Sequence, residues 1–132
     1  TMLMNRILSG MFVSYKCELP ERFLFCHAVG SVVGNAVYSD YLVIFQNVTI
    51  NTSLGKQDSV PPSIGRGVFL GAGAQIIGDK RIGHYVSVGA GTSLYNMEVP
   101  DKSTVIRKDG SLCILPLEGK PCKAQDFWNI VI

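Results

Sequence analysis

Residues 64–73 read Ile-Gly-Arg-Gly-Val-Phe-Leu-Gly-Ala-Gly, and residues 82–91, eighteen positions later, read Ile-Gly-His-Tyr-Val-Ser-Val-Gly-Ala-Gly. A shorter period lies inside this one. Every sixth residue from Ile64 is aliphatic: Ile64, Leu70, Ile76, Ile82, Val88 and Leu94. Gly65, Gly71, Gly83 and Gly89 follow four of them. Six residues hold one short strand and one turn, so three units close a triangular coil of eighteen. The aliphatic of each unit points inward and stacks on its equivalent one coil away: Ile64 on Ile82, Leu70 on Val88, Ile76 on Leu94. Glycine at the turns permits backbone that a Cβ forbids. A helix needs apolar spacings of three and four, which this stretch lacks. The expected fold is all-β, a parallel β-helix that grows coil by coil.

Upstream the same step recurs at Val32, Tyr38, Ile44 and Ile50, offset by two residues from the register of Ile64. Something is inserted between them. The polar stretch Asn51–Pro61 reads as a loop thrust out from a corner, the kind of element that carries function on a rigid scaffold. The chain divides into an N-terminal arm (1–22), the β-helix (23–105) and a C-terminal extension (106–132). A short helix over Met2–Ser9 and a turn at Leu19-Pro20 are expected in the arm. The extension holds a turn at Lys108-Asp109-Gly110 and apolar pieces at Leu112–Leu117 and Phe127–Ile132. Such a tail is expected to cap the open end of the solenoid or to pack on another subunit. The opening Thr1-Met2 reads as a boundary, with part of the native N-terminus ahead of it.

Composition narrows the function classes. The chain has 132 residues, 47% hydrophobic and 17% charged, with 14 glycines and a net charge of +2. That is one domain, too apolar for intrinsic disorder. Near-neutral charge without a basic run argues against a nucleic-acid partner. The longest charge-poor stretches, Phe23–Ser39 and Tyr41–Gly55, are broken by polar residues and fall short of a membrane span. No secretory leader is legible, so Cys17, Cys26, Cys113 and Cys122 are expected as reduced thiols in a cytoplasmic protein. On the same ground the sequons at Asn47 and Asn51 are expected to stay unmodified.

Several landmarks occur in order: Cys26-His27-Ala-Val-Gly-Ser-Val-Val-Gly, Phe45-Gln-Asn-Val-Thr, Gly55-Lys56, Pro62-Ser-Ile-Gly and Leu70-Gly-Ala-Gly-Ala. With the hexapeptide, this order resembles the serine acetyltransferase branch of the left-handed parallel β-helix acyltransferases, from about Phe25 to Val105. The resemblance implies a left-handed coil and an acetyl-CoA-dependent O-acetyltransferase. His27 would be the general base that takes the proton of a hydroxyl acceptor. The pantetheine arm would run past Gly71-Ala72-Gly73 and Gly89-Ala90-Gly91. Lys56, Arg107, Lys108, Lys120 and Lys123 are candidates for the CoA phosphates, and Lys56 and Asp58 of the loop also for the acceptor. The resemblance further implies a homotrimer, with His27 of one chain facing the Asn51–Pro61 loop of a neighbour.

The chain departs from that pattern at three places. Cys26 stands where the family places an Asp that orients the His. Val60-Pro61 replace an Arg-His pair. A helical N-terminal domain is reduced to about 22 residues. These differences favour a sugar or sugar derivative as acceptor over serine. They also motivate the alternative of a non-catalytic β-helix that binds or assembles. His84, at a repeat corner, is expected as a plain surface residue. Two His cannot supply the three that hexapeptide carbonic anhydrases need around zinc, so no metal is expected. Gly71-x-Gly73 is no dinucleotide fingerprint, since position 76 is Ile. Cys26 and His27, adjacent on a strand, face opposite ways and make no thiol–imidazole pair.

Overall fold

The structure is a computed structural model and describes residues 10–51 and 60–132. The helix expected over Met2–Ser9, and Lys56 and Asp58, lie outside the described residues.

The chain winds through three parallel sheets that form the sides of a triangular prism. The described residues form fourteen short strands: β1 (Phe12–Val13), β2 (Phe23–Phe25), β3 (Val32–Val33), β4 (Val37–Tyr38), β5 (Leu42–Ile44), β6 (Thr49–Asn51), β7 (Ser63–Ile64), β8 (Phe69–Leu70), β9 (Gln75–Ile77), β10 (Arg81–Ile82), β11 (Ser87–Val88), β12 (Ser93–Tyr95), β13 (Ser103–Lys108) and β14 (Ser111–Pro116). Sheet A runs β2-β5-β8-β11-β13-β14, sheet B runs β1-β3-β6-β9-β12, and sheet C runs β4-β7-β10. Each coil passes from A to B to C.

The three expected stacks are present: Ile64 pairs with Ile82, Leu70 with Val88 and Ile76 with Leu94. Val33, Ile44, Ile50, Ile64, Leu70, Ile82, Val88 and Leu94 form one buried column system. Each buried aliphatic adds roughly 1.5–3 kcal/mol of apolar transfer. The register also measures the insertion. Val43 pairs with Phe69 and Thr49 with Gln75, 26 positions apart, which is one coil of eighteen plus eight residues. Eight exceeds six by two, which is the offset seen in the sequence.

One expected inward position is corrected. Val33, and not Val32, fills the core, because Val33 pairs with Ile50. The corner ahead of it holds two residues more than the repeat requires.

The tail also differs from expectation. β13 and β14 form an antiparallel hairpin around Asp109-Gly110, both with positive φ (52° and 78°), as a two-residue type I′ turn demands. Beyond it, the 3-10 helix Lys123–Phe127 lies on the outer face of sheet A of its own chain. That face is apolar: Val43, Phe45 and Phe69 point outward and need a cover. Cys122 and Ala124 are buried against Val43, and the Phe127 ring sits 5.7 Å from those of Phe45 and Phe69. Trp128 meets Tyr41 edge-on at 5.0 Å. Sheet A is thereby apolar on both faces, as buried parallel sheets are. The tail is its second layer, packed on the side of its own solenoid.

Candidate active site

On the edge between sheets A and B, four chain crossings stack in register. Entering the corner, the N–H groups of Cys26, Phe45, Gly71 and Gly89 donate to the carbonyls of Ile44, Leu70, Val88 and Val105 at 2.8, 3.1, 2.9 and 2.8 Å. Leaving it, Asn47, Gly73 and Gly91 donate to Val29, Gln46 and Ala72 at 3.0, 2.9 and 2.8 Å. These bonds fix the equivalences. Cys26, Phe45, Gly71 and Gly89 share one column, Val29, Gln46, Ala72 and Ala90 the next, and Gly30, Asn47, Gly73 and Gly91 the third. Phe45 and Gln46 are consecutive, whereas His27 and Ala28 lie between Cys26 and Val29. His27 and Ala28 are therefore the two extra residues of the first coil.

His27 stands in that bulge with φ of +52° and is exposed. Its carbonyl accepts the N–H of Val29 at 2.8 Å, which closes a tight turn. A non-glycine residue in the left-handed region is uncommon, and His is among the residues enriched there. No hydrogen bond is made by the His27 side chain among the described residues.

The expected cofactor residues share this edge. Gly71, Ala72 and Gly73 lie two coils from His27, and Gly89, Ala90 and Gly91 three coils, which at about 4.8 Å per coil is some 14 Å. Arg107 and Lys108 follow at the fifth coil, where β13 runs straight on. The glycines have separate causes. A Cβ on Gly71 would lie 2.9 Å from the backbone N of Ala90, so the next coil requires the glycine. A Cβ on Gly91 would meet nothing within 4 Å, and its φ of +66° is the reason for the residue. Two crossings, Gly71-Ala72-Gly73 and Gly89-Ala90-Gly91, thus present only small residues at this edge, with Phe45-Gln46-Asn47 between them and His27.

The basic residues separate. The Arg107 guanidinium donates to the Gly110 carbonyl at 3.2 Å, and Lys123 pairs with Asp126 at 2.8 Å. Lys123 lines a groove of about 390 Å³ with Gly89, Ser87, Thr104 and Phe69, beside the foot of the edge. Lys120 and Lys102 line a second groove of about 450 Å³ with Tyr85 and Ile132, on the far side of sheet A. Asn51 ends β6 and Val60 precedes β7, at the corner between sheets B and C, a different edge from that of His27.

His84 is exposed, yet it is built into the third edge. Its Nδ1 accepts the backbone N–H of Arg66 at 2.9 Å, and its own N–H donates to Asp101 Oδ1 at 2.8 Å. That N–H, with the Arg81 guanidinium at 2.6 Å, holds the Asp101 carboxyl below the usual carboxylate value. Sequence reasoning passed over Gln46, whose Oε1 is enclosed at the His27 edge without a partner. The available signal was a polar residue in a column otherwise filled by Val29, Ala72 and Ala90. Among the described residues no three His, Cys, Asp or Glu are grouped as around a metal ion, and no helix is long and apolar enough to cross a membrane. All four cysteines are free.

Comparison with known proteins agrees with this architecture. No protein-family model matches the chain. A serine acetyltransferase of Synechococcus elongatus is 32% identical over 104 residues, covering 78% of this chain and 42% of that protein. One from Staphylococcus aureus is 28% identical over 109 residues, covering 82% and 51%. Among solved structures, the soybean serine acetyltransferase apoenzyme superposes with a TM-score of 0.75 at 31% identity, covering 85% of this chain and 46% of that one. A serine acetyltransferase in complex with cysteine gives 0.83 at 25% identity, covering 99% and 50%. The chain spans about half the length of the curated relatives it matches. By sequence and by fold it is similar to serine acetyltransferases, and it shares their left-handed parallel β-helix of hexapeptide repeats.

Proposed function

We propose that the chain transfers an acetyl group from acetyl-CoA to the hydroxyl of a small acceptor, with His27 as general base. The supporting observation is the bulge that sets the His27 imidazole, without a hydrogen bond among the described residues, on the same edge as the two small-residue crossings Gly71-Ala72-Gly73 and Gly89-Ala90-Gly91. The pantetheine arm lies along that edge over Ala90 and Ala72, with its nucleotide end toward Arg107, Lys108 and Lys123. Neutral imidazole accepts the hydroxyl proton, and the oxygen attacks the thioester carbonyl. The C–S bond then breaks, and the CoA thiolate takes the proton back from the imidazolium.

Two acceptor classes are in play. The matched relatives are serine acetyltransferases, which favours serine. Val60-Pro61, where the resemblance implies an Arg-His pair, removes the cation that would hold a carboxylate and favours a sugar hydroxyl. Thiol release from acetyl-CoA against serine, sugars and nucleotide sugars separates the two. His27→Asn, which tolerates the left-handed backbone, should lower turnover by about 10²–10⁴ with any acceptor. Absence of thiol release with every acceptor, or full activity in the variant, contradicts the proposal.

The acting unit is a homotrimer in this reading. Asn51 and Val60 lie at another edge than that of His27, and in this reading a neighbouring copy brings Lys56 and Asp58 to the acceptor. Sedimentation should give three times the chain mass, and a monomer would overturn this part.

A further inference from the structure

Gln46 fills the corner position held by Val29, Ala72 and Ala90 in the other coils, and is the one polar side chain in that column. It stands one coil, about 4.8 Å, from the His27 crossing. Its backbone carbonyl is taken by the Gly73 N–H at 2.9 Å. Its Oε1 is enclosed without a partner, the NH2 group is not among the enclosed atoms, and no hydrogen bond to the amide is made among the described residues. Native proteins pair their enclosed polar groups, so an idle amide at this place lacks a structural explanation.

We infer that the Gln46 amide N–H donates to the carbonyl oxygen of the bound thioester, beside the atom that His27 directs the acceptor to attack. The inference rests on the proposed placement of acetyl-CoA along this edge. A sulfur held at His27 puts the acyl carbonyl one bond away, within reach of a side chain on the adjacent coil. A neutral donor suits a carbonyl that gains negative charge as the hydroxyl adds. Glutamate of the same length would offer no N–H and would repel that charge.

The ligand pair CoA and acetyl-CoA, which differ only by the acyl group, tests this by titration calorimetry without knowledge of the acceptor. The intact protein should bind acetyl-CoA about 5-fold tighter than CoA, the worth of one neutral hydrogen bond. Gln46→Leu should bind CoA as before and lose the preference, and Gln46→Glu should reverse it. Gln46→Leu should melt close to the parent, since no protein hydrogen bond is removed, and Gln46→Glu should melt lower, since it sets a charge at an enclosed position without a partner. A preference that survives in Gln46→Leu, or a parent that shows none, overturns the role of Gln46 alone. A parent that binds neither ligand overturns the acetyl-CoA reading of the edge, and this inference with it.

Discussion

The carbonyl of Val29 accepts the N–H of Asn47 at 3.0 Å, and this bond returns the chain to the hexapeptide register directly after His27. Eight positions separate inward Phe25 from inward Val33, against six from Ile44 to Ile50. The coil closes around the surplus instead of absorbing it, so His27 and Ala28 project from the edge.

A chain lacking both His27 and Ala28 should therefore still fold. The deletion restores a six-residue step and removes a left-handed non-glycine residue, while acetyl transfer is lost. Cooperative melting near the parent temperature, with no thiol release, is the expected outcome. Loss of cooperative melting would show that the two residues belong to the coil.

Gly65 and Gly91 should respond differently to the same substitution. A Cβ on Gly65 would lie 2.5 Å from the Gly83 carbonyl oxygen and 2.7 Å from the His84 nitrogen, both backbone atoms. Gly65→Ala forces adjacent coils apart and should cost about 3 kcal/mol or more, at the upper end of overpacking. Gly91→Ala meets open space and should cost about 1–2 kcal/mol through its left-handed φ alone. Urea unfolding of the two variants ranks them.

Gln125 clasps the C-terminus. Its Nε2 donates to the carbonyls of Trp128 and Ile130 at 3.2 and 2.7 Å, and its Oε1 accepts the Ile132 N–H at 3.1 Å. Gln125→Ala should free the last residues and lower stability by about 1–3 kcal/mol, given net values near 1 kcal/mol per bond with partial exposure. Carboxypeptidase digestion should trim Ile130–Ile132 faster in the variant than in the parent.

The Asp101 carboxyl, depressed by the His84 N–H and by Arg81, links stability to pH. A depressed folded-state pKa contributes stability that is full above the unfolded value and is lost as pH falls through the folded one. Asp101→Asn should lower the melting temperature at neutral pH, and its deficit should shrink as pH drops below 3.8. A deficit constant down to strongly acidic pH would show that the carboxylate charge contributes nothing.

From Ile64 to Leu94 the sequence states its own coil, because each inward aliphatic recurs at six and each stack follows. Val32 misleads because the corner from Val33 to Tyr38 spans five residues, one short of the repeat, and Val32 and Val33 are equally apolar. The side on which the tail packs was illegible for a related reason. Whether Phe45 and Phe69 face solvent, a neighbour or the chain's own end depends on where residues 122–128 return in space. His27 and the two Gly-Ala-Gly corners lie far apart in sequence, and the register alone brings them to one edge. The idle amide of Gln46 became visible only once the columns were aligned.

The central claim is that the edge from Gly91 to His27 seats the acyl donor. A crystal structure with CoA bound tests it most directly. The account predicts the sulfur beside the His27 imidazole, with the pantetheine arm over Ala72 and Ala90. A sulfur lying elsewhere, as in the groove between Lys102 and Lys120, would contradict it.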